Sequence, residues 1–105
     1  MMINNQYLEG LVLSILKESQ SGAYPYEIAE ELGTTLHISD STIYSVCNRL
    51  LKKEWICLDE KNHVVNGRIR KYYLISQIGC KKLELMKSVY HKEKILLDKW
   101  FGECR

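Results

Sequence analysis

Apolar positions recur with a helical period over the first half of this chain, with a strand-like period over a short middle stretch, and with a helical period again to its end. Tyr7, Leu8, Leu11, Val12, Ile15 and Leu16 make a broad apolar face on a first helix. Asn4 or Asn5 can cap its start, and Ser19, Ser21 and Gly22 favour a turn at its end, between Glu18 and Gly22. Pro25, the only proline, fits the first position of a short second helix through Tyr26, Ile28, Ala29 and Leu32, with Gly33 as a left-handed stop. Ser39 can cap a third helix, and Asp40 complements the positive end of its dipole.

In that third helix Ile43, Val46, Cys47, Leu50 and Leu51 fall at i, i+3, i+4, i+7 and i+8, one unbroken apolar stripe. At about 100° per residue the opposite face is fixed. Ser41, Ser45, Asn48 and Lys52 point away from the core, flanked by Thr42 and Arg49 on one side and Tyr44 on the other. From Trp55 the period changes: Trp55 to Leu58 predicts one strand and Ile69 to Ile75 another, joined by a polar tip, Asp59 to Arg68, that contains Asn66-Gly67. Ser76 then caps a long last helix with apolar Ile78, Leu85, Met86, Val89, Tyr90, Leu96, Leu97, Trp100 and Phe101. The pattern predicts a mainly α fold with a small β-hairpin. Residues 1–76 form a winged helix-turn-helix and 77–105 a C-terminal dimerisation helix, together one compact unit.

Composition narrows the functions open to such a fold. At 105 residues and 46% apolar content one core can be buried, hardly two. The longest apolar stretch, Leu11 to Leu16, is broken by Ser14 and is far shorter than the ~20 residues that span a bilayer. With no basic, apolar and small-residue leader pattern, the expected location is the cytoplasm. Cys47, Cys57, Cys80 and Cys104 follow no metal-ligand spacing and should remain thiols there. His37, His63 and His91 lie on separate elements, no Gly-rich phosphate loop is present, and no nucleophile, base and orienting group occur together, so an enzyme is not expected and no cofactor is implied.

The net charge of +2 conceals a segregation. Residues 1–40 hold one Lys and six acids, for −5; residues 41–82 hold nine Lys or Arg and three acids, for +6; the rest gives +1. The positive third coincides with the third helix and the hairpin. Ser41, Thr42, Tyr44, Ser45, Asn48 and Arg49 are therefore candidate base and backbone contacts. Lys52 and Lys53, with Lys61, Arg68, Arg70 and Lys71 of the wing, are candidate phosphate partners. A solvated polar face has the same composition, and a winged helix that docks protein is a rival reading, which an apolar or acidic outer face would favour. A thiol-based redox sensor using Cys57 or Cys80 is a third, since Cys80 adjoins Lys81 and Lys82.

Three blocks sharpen the choice. Tyr24-Pro25-Tyr26-Glu27-Ile28, then Ser41-Thr42-Ile43-Tyr44 with Arg49-Leu50, then Arg70-Lys71-Tyr72-Tyr73-Leu74-Ile75-Ser76 with Gly79, resemble the signature blocks of the PadR family of transcriptional regulators, in order and over roughly residues 7 to 90. The resemblance implies a winged helix-turn-helix with a C-terminal dimerisation helix, and a repressor released by a small molecule or stress signal. Tyr44 would then sit on the recognition helix near the DNA backbone, and Arg70 to Tyr73 would form the second half of the wing. The family usually has Gly where Pro25 stands, Pro where Ser45 stands and Gly where Glu54 stands.

The last helix carries more large apolar side chains than a monomer of this size can cover, so its stripe calls for a partner. The same helix of a second copy, helped by the first helix, gives an interface of Tyr7, Leu11, Leu85, Met86, Val89, Tyr90, Leu96, Leu97, Trp100 and Phe101. A two-fold dimer predicts double-stranded operator DNA with inverted half-sites about 34 Å apart. Packing of the last helix on the first within one chain is the competing use of the stripe. The chain also resembles the short branch of the family, some of whose members bind flat aromatic compounds between interface tryptophans. Trp100 is the residue that can do so here.

Overall fold

The computed structural model describes residues 5–60 and 63–102, so Asn4, Lys61 and Cys104 lie outside the described residues. Three helices, α1 (Asn5–Glu18), α2 (Pro25–Leu36) and α3 (Asp40–Lys52), precede four short strands, β1 (Ile56–Leu58), β2 (His63–Val65), β3 (Arg68–Arg70) and β4 (Tyr73–Ile75), and a long α4 (Gln77–Phe101). This is the winged helix-turn-helix followed by a long C-terminal helix that the pattern predicts.

One core joins the elements. Leu8, Val12, Leu13 and Leu16 of α1 meet Ile28 and Ala29 of α2, Ile43, Val46, Cys47 and Leu50 of α3, Ile56 and Tyr73 of the hairpin, and Leu83 of α4. The stripe of α3 is buried as its period requires, with Leu51 packed at its edge. Ser39 caps α3, its hydroxyl accepting the Thr42 amide at 3.3 Å. The helix ends in a Schellman turn: Trp55 N–H donates to Leu50 and Glu54 N–H to Leu51, both at 3.0 Å. That turn holds Glu54 at φ 64, the left-handed region in which glycine is at ease.

Two expectations need correction. Gly33 does not stop α2; the helix runs to Leu36 and the left-handed residue is His37, φ 52, whose amide donates to the Gly33 carbonyl at 3.2 Å. The predicted strand from Ile69 to Ile75 is two strands. β4 pairs antiparallel with β1 (Ile56 with Ile75, Leu58 with Tyr73), whereas β3 pairs with β2 (His63 with Arg70, Val65 with Arg68). The chain breaks at Lys71-Tyr72 because β4 belongs to the core and β2–β3 project from it: Tyr73 is buried, while Val64 and Ile69 are exposed. Asn66 and Gly67 both have positive φ, the primed turn that closes a two-residue hairpin. A backbone bridge from Ala23 to Tyr73 ties the start of α2 to the wing.

The Ser76 hydroxyl starts α4, accepting the Gly79 amide at 3.0 Å and donating to the Glu54 carbonyl at 2.7 Å. Only Gly79 and Leu83 of α4 are buried. Met86 packs against the core from its edge, its sulfur 3.3 Å from where a Cβ on Gly10 would stand, and the Tyr7 and Tyr90 rings meet edge to face at 6.3 Å. Part of the stripe is thus spent inside the chain, on α1. Leu85, Val89, Leu96, Trp100 and Phe101 remain exposed, as does Ile95.

Candidate nucleic-acid interface

The exposed face of α3 begins with a cluster of hydroxyls. The Ser39 Oγ lies 3.1 Å from Ser41 Oγ and 3.0 Å from Thr42 Oγ1, and Ser45 Oγ donates to the Ser41 carbonyl at 3.1 Å. Beyond them Tyr44, Asn48, Lys52 and Lys53 are exposed, so the face carries small donors and acceptors at its N-terminal end and cations at its C-terminal end. The small hydroxyls permit close approach of a backbone or base edge; the cations meet the negative end of the helix dipole.

Arg49, its side chain 41% exposed, also reaches inward. Its Nε lies 3.4 Å from Glu9 Oε2, and Lys53 Nζ reaches the same carboxylate at 3.1 Å. Glu9, on α1, is 6% exposed. Sequence reasoning missed it, because a carboxylate buried by residues forty positions away leaves no local signal. Lys53 also stands over the Trp55 ring, 4.5 Å from its centroid, with Lys82 at 5.8 Å.

On the wing, Arg68 and Lys71 are exposed, and they fall in the same positive third of the sequence as α3. Arg70 is half-buried, its guanidinium 5.6 Å from the centre of the Tyr24 ring, which in turn packs against Tyr72 at 5.2 Å. Lys61 falls outside the described residues. Among the described cysteines, Cys57 is exposed, Cys80 half-buried and Cys47 buried, its thiol pushed up to about 12 by loss of water. Among the described residues no group of three or more His, Cys, Asp and Glu is placed to hold a metal ion, and no helix is long and apolar enough to cross a membrane.

An open groove of about 630 Å³ runs between α1 and α4. Tyr7, Leu11, Leu83, Met86, Tyr90 and Leu97 line it, with Lys87, Glu93, Lys94 and Asp98 at its rim. Trp100 stands beyond it, 69% exposed, with the Lys99 ammonium 5.3 Å from its ring.

Residues 12–85 match the model of the PadR-like family of transcriptional regulators. The chain belongs to that family. A PadR family transcription regulator from Clostridium difficile has a similar crystal structure, with a TM-score of 0.79 and 28% identity over 91% of this chain and 99% of that one. A PadR-like transcriptional regulator from Bacillus cereus is similar at a TM-score of 0.76 and 27% identity, covering 92% and 93% of the two chains. An uncharacterized protein of Lysinibacillus sphaericus is 29% identical over 96 residues, 88% of this chain and 85% of its own length. This PadR-like chain is thus matched over nearly its whole length, α4 included, and it is a transcriptional regulator.

Proposed function

We propose that this PadR-like regulator is a repressor that binds operator DNA sequence-specifically as a homodimer and works in the cytoplasm. The observation that carries the reading is the outer face of α3: hydroxyl, amide and cationic groups at the surface, over a stripe wholly committed to the core. A helix of that kind fits the major groove, where Asn48 can take an adenine edge and Ser41, Thr42 and Ser45 can take base edges or phosphates. Tyr44, Lys52, Arg68 and Lys71 would supply the backbone contacts of such a complex.

The second copy follows from α4. Its free apolar side chains Leu85, Val89, Leu96 and Trp100 fall within about 60° of one another around the helix, with Phe101 exposed at its end, and its other contacts are already made with α1. Pairing them about a two-fold axis removes them from water and sets two α3 helices on inverted half-sites about 34 Å apart. In this arrangement residues 1–76 read DNA and 77–105 join the copies, and a flat aromatic effector stacked on Trp100 would release repression by shifting the spacing.

Two exposed positions test the contact scheme. Lys71→Ala should weaken binding uniformly and lower the slope of log affinity against log salt by about one. Asn48→Ala should leave that slope unchanged and reduce preference between base sequences. Circular dichroism checks that both variants are folded; parental binding by both would remove α3 and the wing as the contact surface.

A further inference from the structure

Among the described residues Glu9 is the one buried charged side chain, and the contact scheme above makes no use of it. Both of its oxygens face α3: Lys53 Nζ stands 3.2 Å from Oε1 and 3.1 Å from Oε2, and Arg49 Nε lies 3.4 Å from Oε2. The carboxylate side chain is 8% exposed and the two cations 41% and 42%, so Arg49 and Lys53 cover Glu9 on their inner side and meet solvent on their outer side. Trp55 beneath the Lys53 ammonium limits where that chain can swing. A carboxylate with two oxygens aimed at an arginine and a lysine offers the acceptor geometry that a backbone phosphate offers. A buried carboxylate stripped of its partners is strongly disfavoured, so the cluster stays closed when a polyanion approaches.

We propose that Glu9 is a positioning residue for the DNA-facing end of α3: it fixes Arg49 and Lys53 at the phosphate backbone and limits the two cations together to one net positive charge. The proposal rests on α3 being the DNA-contact helix. It accounts for three cationic residues, Arg49, Lys52 and Lys53, at the C-terminal end of α3: part of their charge is already matched from within, so discrimination between duplexes is left to the polar face.

The test is the salt dependence of duplex binding, measured by fluorescence anisotropy between ~50 and ~200 mM salt, for the parental protein, Glu9→Gln, Glu9→Asp and a triple variant, Glu9→Gln with Arg49→Met and Lys53→Met. The probe is one short duplex taken from the region upstream of the protein's own coding sequence. Glu9→Gln frees a cation and should steepen the slope by about one; Glu9→Asp keeps the charge and should keep the parental slope. The triple variant leaves no buried charge, so it should fold even if Glu9→Gln does not, and its slope should fall by about one. A parental slope in Glu9→Gln, or a fall of about two in the triple variant, would mean that the cations act independently of Glu9 and would overturn the proposal. Failure of the parental protein itself to bind would remove the DNA-contact reading, and this inference with it.

Discussion

Cys47 is surrounded by apolar side chains of α1, α3 and the hairpin, and its thiolate has no water or cation to stabilise it. Its acidity is therefore lowered, with the thiol held up to about 12 against about 8.5 for an exposed cysteine. Below the unfolded value both states keep the proton, and folding is unaffected. Between the two values the unfolded chain ionises and the native one does not, so stability falls as pH rises, at about 1.4 kcal/mol per pH unit. Urea unfolding of the parental protein and Cys47→Ala at pH near 8 and near 10 should show a steeper loss in the parent; equal losses would mean that Cys47 is hydrated in the native state. Burial of Cys47 was legible in its place on the α3 stripe. So was the Ser39 cap. Glu9 was not, because its burial depends on α1 and α3 packing side by side, and for the same reason the pattern does not reveal that Arg49 and Lys53 pair with it.

Elements follow period and caps where those signals are local, and depart where tertiary contacts decide. α3 and α4 begin at the serines the pattern indicates, but α2 passes Gly33 because nothing crowds that position and the turn at His37 satisfies the last carbonyls. The wing divides at Lys71-Tyr72 because only its base joins the core, which a run of alternating residues does not reveal. Gly79 shows what holds α4 in place. A side chain there would collide with the backbone carbonyl of Trp55 and with the side chain of Ile75, so α4 can start against the hairpin only with glycine. Gly79→Ala should cost about 1–3 kcal/mol, comparable to overpacking a core. Gly33→Ala, in open space in mid-helix, should gain up to about 1 kcal/mol. Thermal unfolding of both separates the cases; a Gly79→Ala variant as stable as the parent would show that α4 does not dock as described.

The molecule as a whole has two unlike surfaces, a polar and basic one on α3 and the wing and an apolar one on α4. Only the second was overestimated by the pattern: Met86 and Tyr90 serve α1 within the chain, and Ile95, left out of the stripe, is exposed with the rest. If the remaining face joins two copies, Leu96→Glu buries two carboxylates across the two-fold axis. The dimer should then weaken by at least about 100-fold, about 3 kcal/mol, in sedimentation equilibrium, with the monomer still folded. Unchanged association would place the interface elsewhere.

DNA recognition by a dimer is best decided by titrating a labelled duplex from the protein's own upstream region with purified protein at low salt, while recording the mass of the complex. Two copies per duplex are expected, with affinity falling steeply as salt is raised and exceeding that for a shuffled duplex. A monomer with no affinity for either duplex would contradict it.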